Sequence, residues 1–402
     1  MNRHLTFLVL VGTLAACGRA RSKAVGRASA AAADTAAPRA TAPVPAPAVL
    51  LPGMPPPLDP ANVYAGAGLN MIDTAARRAV PLVYVPLGGA ASVAVIDPAT
   101  YRVVRTFATA TLPQHVVPAY DLRTLWVAND IGNSLTPIDP FTGQQGKSVP
   151  VEDPYNLYFT PDGKYAVVIA ERAQRIDFRD PHTMALHDSV RVDCKGVDHM
   201  DFTADGRTAL ATCEFSGKVL KLDVATHRVL GYLHLDPGKP SMPQDIRLSP
   251  DGRVFFIADM QADGVFIVDP DSLQRIGFIP TGTGAHGIYP SRDGKLFYVS
   301  NRGWHILRGR PHGPGSVSVV DPARRRVVAT WKIPHGGSPD MGNVSADGKE
   351  LWLSGRYDHE VYVFDTKTGE LLHRIPVGRD PHGLTVWPQP GRFSLGHTGN
   401  MR

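Results

Sequence analysis

Four histidines sit at matching places in a repeated segment of this chain: His115, His199, His286 and His382. They belong to polar doublets that differ from copy to copy: Gln114-His115, Tyr155-Asn156, Asp198-His199, Gln244-Asp245, His286-Gly287, Asp340-Met341 and His382-Gly383. A second polar set follows one hairpin later, as Asn129-Asp130, Glu171-Arg172, Cys213-Glu214, Asp259-Met260, Asn301-Arg302 and Arg356. Imidazoles, carboxylates and a thioether suit copper, zinc or iron, so a divalent or copper ion is the cofactor these residue types could hold. The candidates for ligand or metal contact are therefore the four histidines with Asp198, Gln244, Asp340, Glu171, Glu214, Asp259, Arg302 and Arg356. The competing reading is a water-filled channel whose polar walls bond one another. Strand alternation adds a restriction, because only one of two adjacent residues points into a channel.

Residues so far apart can meet only if the repeat folds into a ring. Each copy runs from a doublet through an apolar stretch to an Asp-Gly turn, then to a strand such as Tyr298-Val299-Ser300-Asn301. The turns are Asp162-Gly163, Asp205-Gly206, Asp251-Gly252, Asp293-Gly294 and Asp347-Gly348, a pair that favours tight hairpins. A third strand ends in Asp97-Pro98, Asp139-Pro140, Asp269-Pro270 or Asp321-Pro322, and a β-branched fourth follows, as in Arg102-Val103-Val104-Arg105. These recurring aspartates are turn formers rather than calcium ligands. Four strands per period of about 40 to 50 residues make a propeller blade.

The doublets begin near residues 114, 155, 198, 244, 286, 340 and 381, which predicts seven blades. Pro81 to Phe107 supplies a second, third and fourth strand without a first, and Pro381 to Val386 is a first strand with no blade after it. The expected fold is all-β: a seven-bladed β-propeller over residues 62–402, closed by pairing N- and C-terminal strands so that no sheet edge stays open. Arg392 to Arg402 falls outside the blade count and is expected to cross the ring or pair with residues 62–80. First-strand starts and second-strand ends share one face, so the four histidines should converge at that channel mouth. The insertion from Arg302 to Gly313 leaves the same face; with Trp304, His305, His312 and three arginines it could cover a pocket or grip an anion, or be a solvated loop. These motifs resemble the YVTN-type β-propeller repeat proteins of bacteria over about residues 80–390. The resemblance implies the fold and frequent export, and it assigns no activity.

The start of the chain reads as an export signal over residues 1–16, with Arg3 and His4 ahead of an apolar stretch from Leu5 to Leu14. Leu14-Ala15-Ala16-Cys17 looks like a bacterial lipobox, which implies lipidation at Cys17; ordinary secretion is the alternative. Residues 17–61 are rich in Ala and Pro and are expected to act as a tether, holding the propeller on the extracytoplasmic side of a membrane. Six basic and two acidic residues lie within 1–60, leaving 36 basic and 35 acidic residues elsewhere. A folded part so nearly neutral argues against nucleic acid as a partner. In an oxidising compartment Cys194 and Cys213 are a disulfide candidate, with a thiolate metal site beside His199 as the alternative.

No Cys-x-x-Cys-His is present to carry a c-type haem, and neither a Gly-x-Ser-x-Gly elbow nor a P-loop occurs. Nitrous-oxide reductases resemble this architecture with a His-ringed copper cluster but continue into a copper-binding domain. The leading expectation is a monomeric envelope lipoprotein binding a small molecule, glycan or protein at its polar face. The alternatives are a metal-dependent redox enzyme and a lactonase-like hydrolase, with Glu171, Asn129 or Asp259 as metal ligands.

Overall fold

The computed structural model describes residues 49–402; the export signal, Cys17 and most of the expected tether lie outside the described residues. Seven four-stranded antiparallel sheets are arranged as blades. Blade 1 takes its innermost strand from the far end of the chain: Thr385–Trp387 pairs with Leu82–Leu87, matching Leu82 to Trp387 and Tyr84 to Thr385. Blades 2 to 7 follow in chain order, each running from the inner strand outwards. The architecture is the expected seven-bladed propeller, with the expected closure.

The core shows why the ring is closed. Seven apolar clusters lie one at each interface between neighbouring blades, including one that joins Val361, Val363 and Trp352 of blade 7 to Val83 and Val85 of blade 1. Seven blades in an open row would have one interface fewer. Outermost strands such as Leu186–Arg191 are largely exposed, while inner strands such as Val197–Phe202 are wholly buried.

The Asp-Gly turns form as expected. Gly163, Gly206, Gly252, Gly294 and Gly348 all take φ between +68° and +73°, where a side chain would be strained. Each preceding Asp accepts a hydrogen bond from the amide two residues on, for example Lys164 N to Asp162 and Arg207 N to Asp205. A Ser or Thr two residues before the Asp donates to the same carboxylate, as Thr203 does to Asp205. The aspartates are therefore turn residues, each with Oδ1 engaged by its own turn.

The chain ahead of blade 1 runs as a belt along this turn face. Leu51 N bonds Asp205 O, Val63 N bonds Pro250 O and Val80 N bonds Pro140 O. Leu51, at the end of the expected tether, is 4% exposed and packs with Tyr158, Phe202 and Phe393, so the compact body begins ahead of residue 62. Beyond Trp387 the chain turns inward. Gly391 N bonds Met71 O and forms a bridge beside Ile72, so this segment does pair with the belt. It then enters the channel: Ser394 N bonds Tyr120 O, His397 N bonds Leu157 O, and Thr398 Oγ1 bonds Gly342 O. Asn400 and Arg402 both reach Asp201, and the Arg402 guanidinium lies over Tyr64 of the belt. Residues 392–402 thus cross the ring, meeting residues 62–80 through Arg402 and Tyr64 while the bridge to Ile72 is made by Gly391, and belt and tail together close the channel at the turn face.

Candidate functional site

The doublets do not follow simple alternation. In blade 4, Val197 pairs with Cys213 and Met200 with Ala211, so Asp198 and His199 together face Thr212 alone. The same two-against-one step sets Gln244-Asp245 against Ala258, His286-Gly287 against Ser300, and Asp340-Met341 against Ser354. These four doublets are thus β-bulges, and in all seven doublets both residues are buried around the channel, contrary to the restriction expected from strand alternation. In blades 4, 6 and 7 the opposing Thr or Ser explains how the bulge is tolerated, while Gln244-Asp245 faces Ala258. His199 N donates to Thr212 Oγ1, Gly287 N donates to Ser300 Oγ, and Ser354 Oγ donates to Met341 O. Those hydroxyls replace ladder bonds that the extra residue removes.

The four expected histidines converge. Ring centroids are 4.9 Å apart for His115 and His382, 5.9 Å for His382 and His286, 6.3 Å for His286 and His199, and 5.7 Å for His199 and His115. His397 from the tail joins them, at 5.2 Å from His115 and 5.0 Å from His199. All five are at most 1% exposed. Gly383 lets blades 1 and 2 approach here, because a Cβ on it would collide with the His115 ring.

Each imidazole has a wall group near Nδ1, and in His115, His382 and His397 that contact is a hydrogen bond, whereas Nδ1 of His199 and of His286 has no hydrogen-bond partner. His115 Nδ1 lies 2.9 Å from the Tyr155 carbonyl oxygen, and His199 Nδ1 lies 3.1 Å from Asp198 Oδ2. Asp340 holds two rings and a guanidinium: His286 Nδ1 at 3.0 Å, His382 Nδ1 at 2.7 Å and Arg302 Nε at 2.7 Å. His397 Nδ1 accepts from Asn156 Nδ2 at 3.0 Å, which places the ring proton on Nε2, the reverse of the tautomer in His115. Outer partners of this kind orient histidines that bind metals, and they serve equally in a purely polar network.

Burial lowers every imidazole pKa, to about 3 for His115 and about 4 for His199, so the rings are neutral at pH 7. Carboxyls at the mouth shift the other way. Burial, reinforced by Glu214 and Asp198, raises Glu171 to about 9, and burial with Asp198 raises Glu214 to about 7. Asp198 is pushed well above the carboxylate range, chiefly by burial. Asp340 behaves differently: burial raises it, but Arg302, His286 and Arg356 outweigh that and hold it ionised.

The remaining candidates divide. Gln244 Nε2 donates to Glu214 Oε1 at 2.9 Å, joining the doublet set to the second-strand set. Arg356 is half-buried with Nη1 buried and unpartnered, and Gln114 Oε1 is likewise buried without a partner. Asp259 is a correction. Its carboxylate accepts from Ser241 Oγ and from the amides of Met242, Gln261 and Ala262, so it braces a turn and has no free ligand oxygen. The thiolate reading at Cys194 and Cys213 is also replaced, since the two are joined in a disulfide that ties the segment ahead of the strand carrying His199 to the end of the next strand, just before Glu214.

The insertion after Arg302 lies beside the mouth and bridges blades. His305 Nε2 lies 2.6 Å from Asp263 Oδ1, Gln261 Nε2 donates to His305 O, and Tyr357 OH donates to Ile306 O. Sequence reading missed His397 because the tail lies outside the repeat. Its one signal was a polar turn flanked by Gly396 and Gly399, both at positive φ.

Comparisons with known proteins agree with this architecture. An uncharacterized YncE protein of Salmonella typhi is 23% identical over 288 residues, covering 64% of this chain and 73% of that protein. A dihydro-heme d1 dehydrogenase of Pseudomonas aeruginosa is 28% identical over 178 residues, which is 39% of this chain and 33% of the relative. Among solved structures, a putative 6-phosphogluconolactonase from Bacteroides uniformis superposes with a TM-score of 0.61 at 19% identity, over 76% of this chain and 98% of its own. The YNCE-like beta-propeller family matches residues 46–390, and the chain belongs to that family.

Proposed function

We propose that this protein is an exported lipoprotein whose propeller binds a small anionic molecule at the one open face of its channel. The observation that carries the reading is the asymmetry of the ring. Belt and tail occupy the turn face, while the opposite mouth keeps buried polar atoms without partners, among them Arg356 Nη1 and Gln114 Oε1. Arg302 is neutralised by Asp340 in a 2.7 Å pair, and the raised pKa of Glu171 keeps that carboxyl uncharged at pH 7. Arg356 forms no salt bridge among the described residues, although its charge helps to hold Asp340 ionised, and a guanidinium there favours a carboxylate or phosphate.

A thermal-shift series of carboxylates and phosphate esters, including sugar phosphates, tests this. The expected result is a shift with one of these classes that disappears in Arg356→Met. No shift with either class would remove the ligand reading. The lipid anchor is tested separately, since Cys17→Ser should move the protein from the membrane fraction to the soluble fraction.

A second reading is a metal-dependent redox enzyme. The five converging imidazoles favour it, as does similarity to a protein named for oxidising a dihydro-haem. Visible absorption by the purified protein that bleaches on reduction would support that alternative.

A further inference from the structure

Deeper than the Arg356 and Gln114 mouth, one group of side chains is incomplete in a more specific way. One ring nitrogen from each of His115, His199 and His397 lies within 4.8 Å of the other two, and all three residues are fully buried. The His115 tautomer follows from its partner. A carbonyl can only accept, so Nδ1 carries the proton towards Tyr155 O and Nε2 keeps its lone pair. That Nε2, with Nε2 of His199 and of His397, is buried without a hydrogen-bond partner. Because Asn156 Nδ2 donates to His397 Nδ1, His397 Nε2 carries the proton in the metal-free protein and must give it up, releasing Asn156, to become a ligand. Three unpartnered imidazole nitrogens in one buried spot are costly unless something joins them.

The backbone supports the arrangement. His397 sits at φ +53°, a left-handed conformation that side-chain-bearing residues avoid, between Gly396 at +97° and Gly399 at +121°. Tail bonds to Leu157, Gly342 and Asp201 hold it there. The Tyr155 carbonyl behind His115 is an outer partner of the kind that metal-bound histidines use, and Asp198 Oδ2 stands 3.1 Å from His199 Nδ1 without a hydrogen bond to it.

We infer that His115, His199 and His397 form a binding site for a single transition-metal ion of the zinc or copper class, with one ligand delivered by the tail. Three imidazoles with no thiolate suit Zn²⁺ or Cu²⁺ rather than Ca²⁺ or Mg²⁺. Tetrahedral metal–nitrogen bonds of about 2.0–2.1 Å require the nitrogens to draw together by up to roughly 1.5 Å, a movement shared among the three rings. The site uses neither Arg356 nor Gln114, so it stands or falls separately from the ligand reading.

The test is titration of the metal-stripped, detergent-solubilised full-length protein with Co²⁺, followed by visible absorption, and with Zn²⁺, followed by calorimetry. One Co²⁺ per chain is expected, with the strong absorption of a low-coordinate nitrogen site, displaced by one Zn²⁺. His397→Ala and His199→Ala should each weaken binding at least about a hundredfold, more than loss of an outer partner does. His187→Ala, at an exposed outer strand, should leave binding unchanged. His397→Gln, closer in shape and checked by circular dichroism, guards against misfolding. Failure of the wild-type protein to take up one equivalent would show a water-bridged polar triad and overturn the proposal, as would an ion retained in both His397→Ala and His199→Ala.

Discussion

Asp340 shows how much one buried side chain can decide. It is fully buried, orients His286 and His382, and neutralises Arg302. Asp340→Ala leaves that guanidinium buried and unpaired, and the expected cost is about 3–5 kcal/mol, read from urea unfolding. Glu171 gives a pH signature with a definite sign. Its folded pKa of about 9 exceeds the ordinary value of 4.5, so its contribution to stability is complete below pH 4.5 and is lost as pH rises towards 9. Glu171→Gln should therefore melt higher than wild type at pH 9, and the gap should close by pH 5. Equal gaps at both pH values would remove the assigned cause. The buried imidazoles act in the opposite sense: pKa values of about 3 and 4 for His115 and His199 cost stability as pH falls from 6.5 towards 4. Four histidines were readable because they occupy repeat positions. His397 was not, since residues 396–399 have no counterpart in any blade, and Asp259 matched the pattern yet serves a turn.

At the level of the element, the β-bulge governs the site. In blades 4, 6 and 7 a hydroxyl opposite the bulge takes up freed backbone groups, and Thr212 also donates to Asp198 Oδ1 at 2.6 Å. Thr212→Val keeps the shape and removes those bonds, so a loss of about 1–3 kcal/mol is expected, together with weaker metal binding by the displaced His199. Unchanged stability and unchanged Co²⁺ affinity would argue against the bulge as the positioning device. The disulfide acts on the same blade. Replacing Cys194 and Cys213 together by Ser should cost about 3 kcal/mol, measured by thermal unfolding under non-reducing conditions. Hairpin turns were legible because Asp-Gly chemistry is complete within four residues. The bulges were not, because alternation predicts a regular strand, although the Ser or Thr in the Tyr298-Val299-Ser300-Asn301 type of strand was their visible counterpart.

For the whole molecule, ring closure and channel closure are separate events. Pairing of Thr385–Trp387 with Leu82–Leu87 closes the ring, and the belt with residues 388–402 then closes one channel end. Deleting residues 393–402 should leave the blades assembled while lowering the melting temperature. It should also speed hydrogen exchange in inner strands such as Pro339–Val344, which Thr398 now contacts. Exchange unchanged from wild type would show that the tail does not plug the channel. By itself the sequence determined the blade count, the closure and the face that carries the polar residues, because period, turn chemistry and apolar runs are local signals repeated seven times. Only the tertiary structure decided that both members of a doublet are buried, that Asp340 gathers two histidines and an arginine, and that the tail brings a fifth imidazole to His115 and His199. Those outcomes depend on atoms from different blades meeting in one channel, and no repeat records which of its neighbours across the ring it will touch.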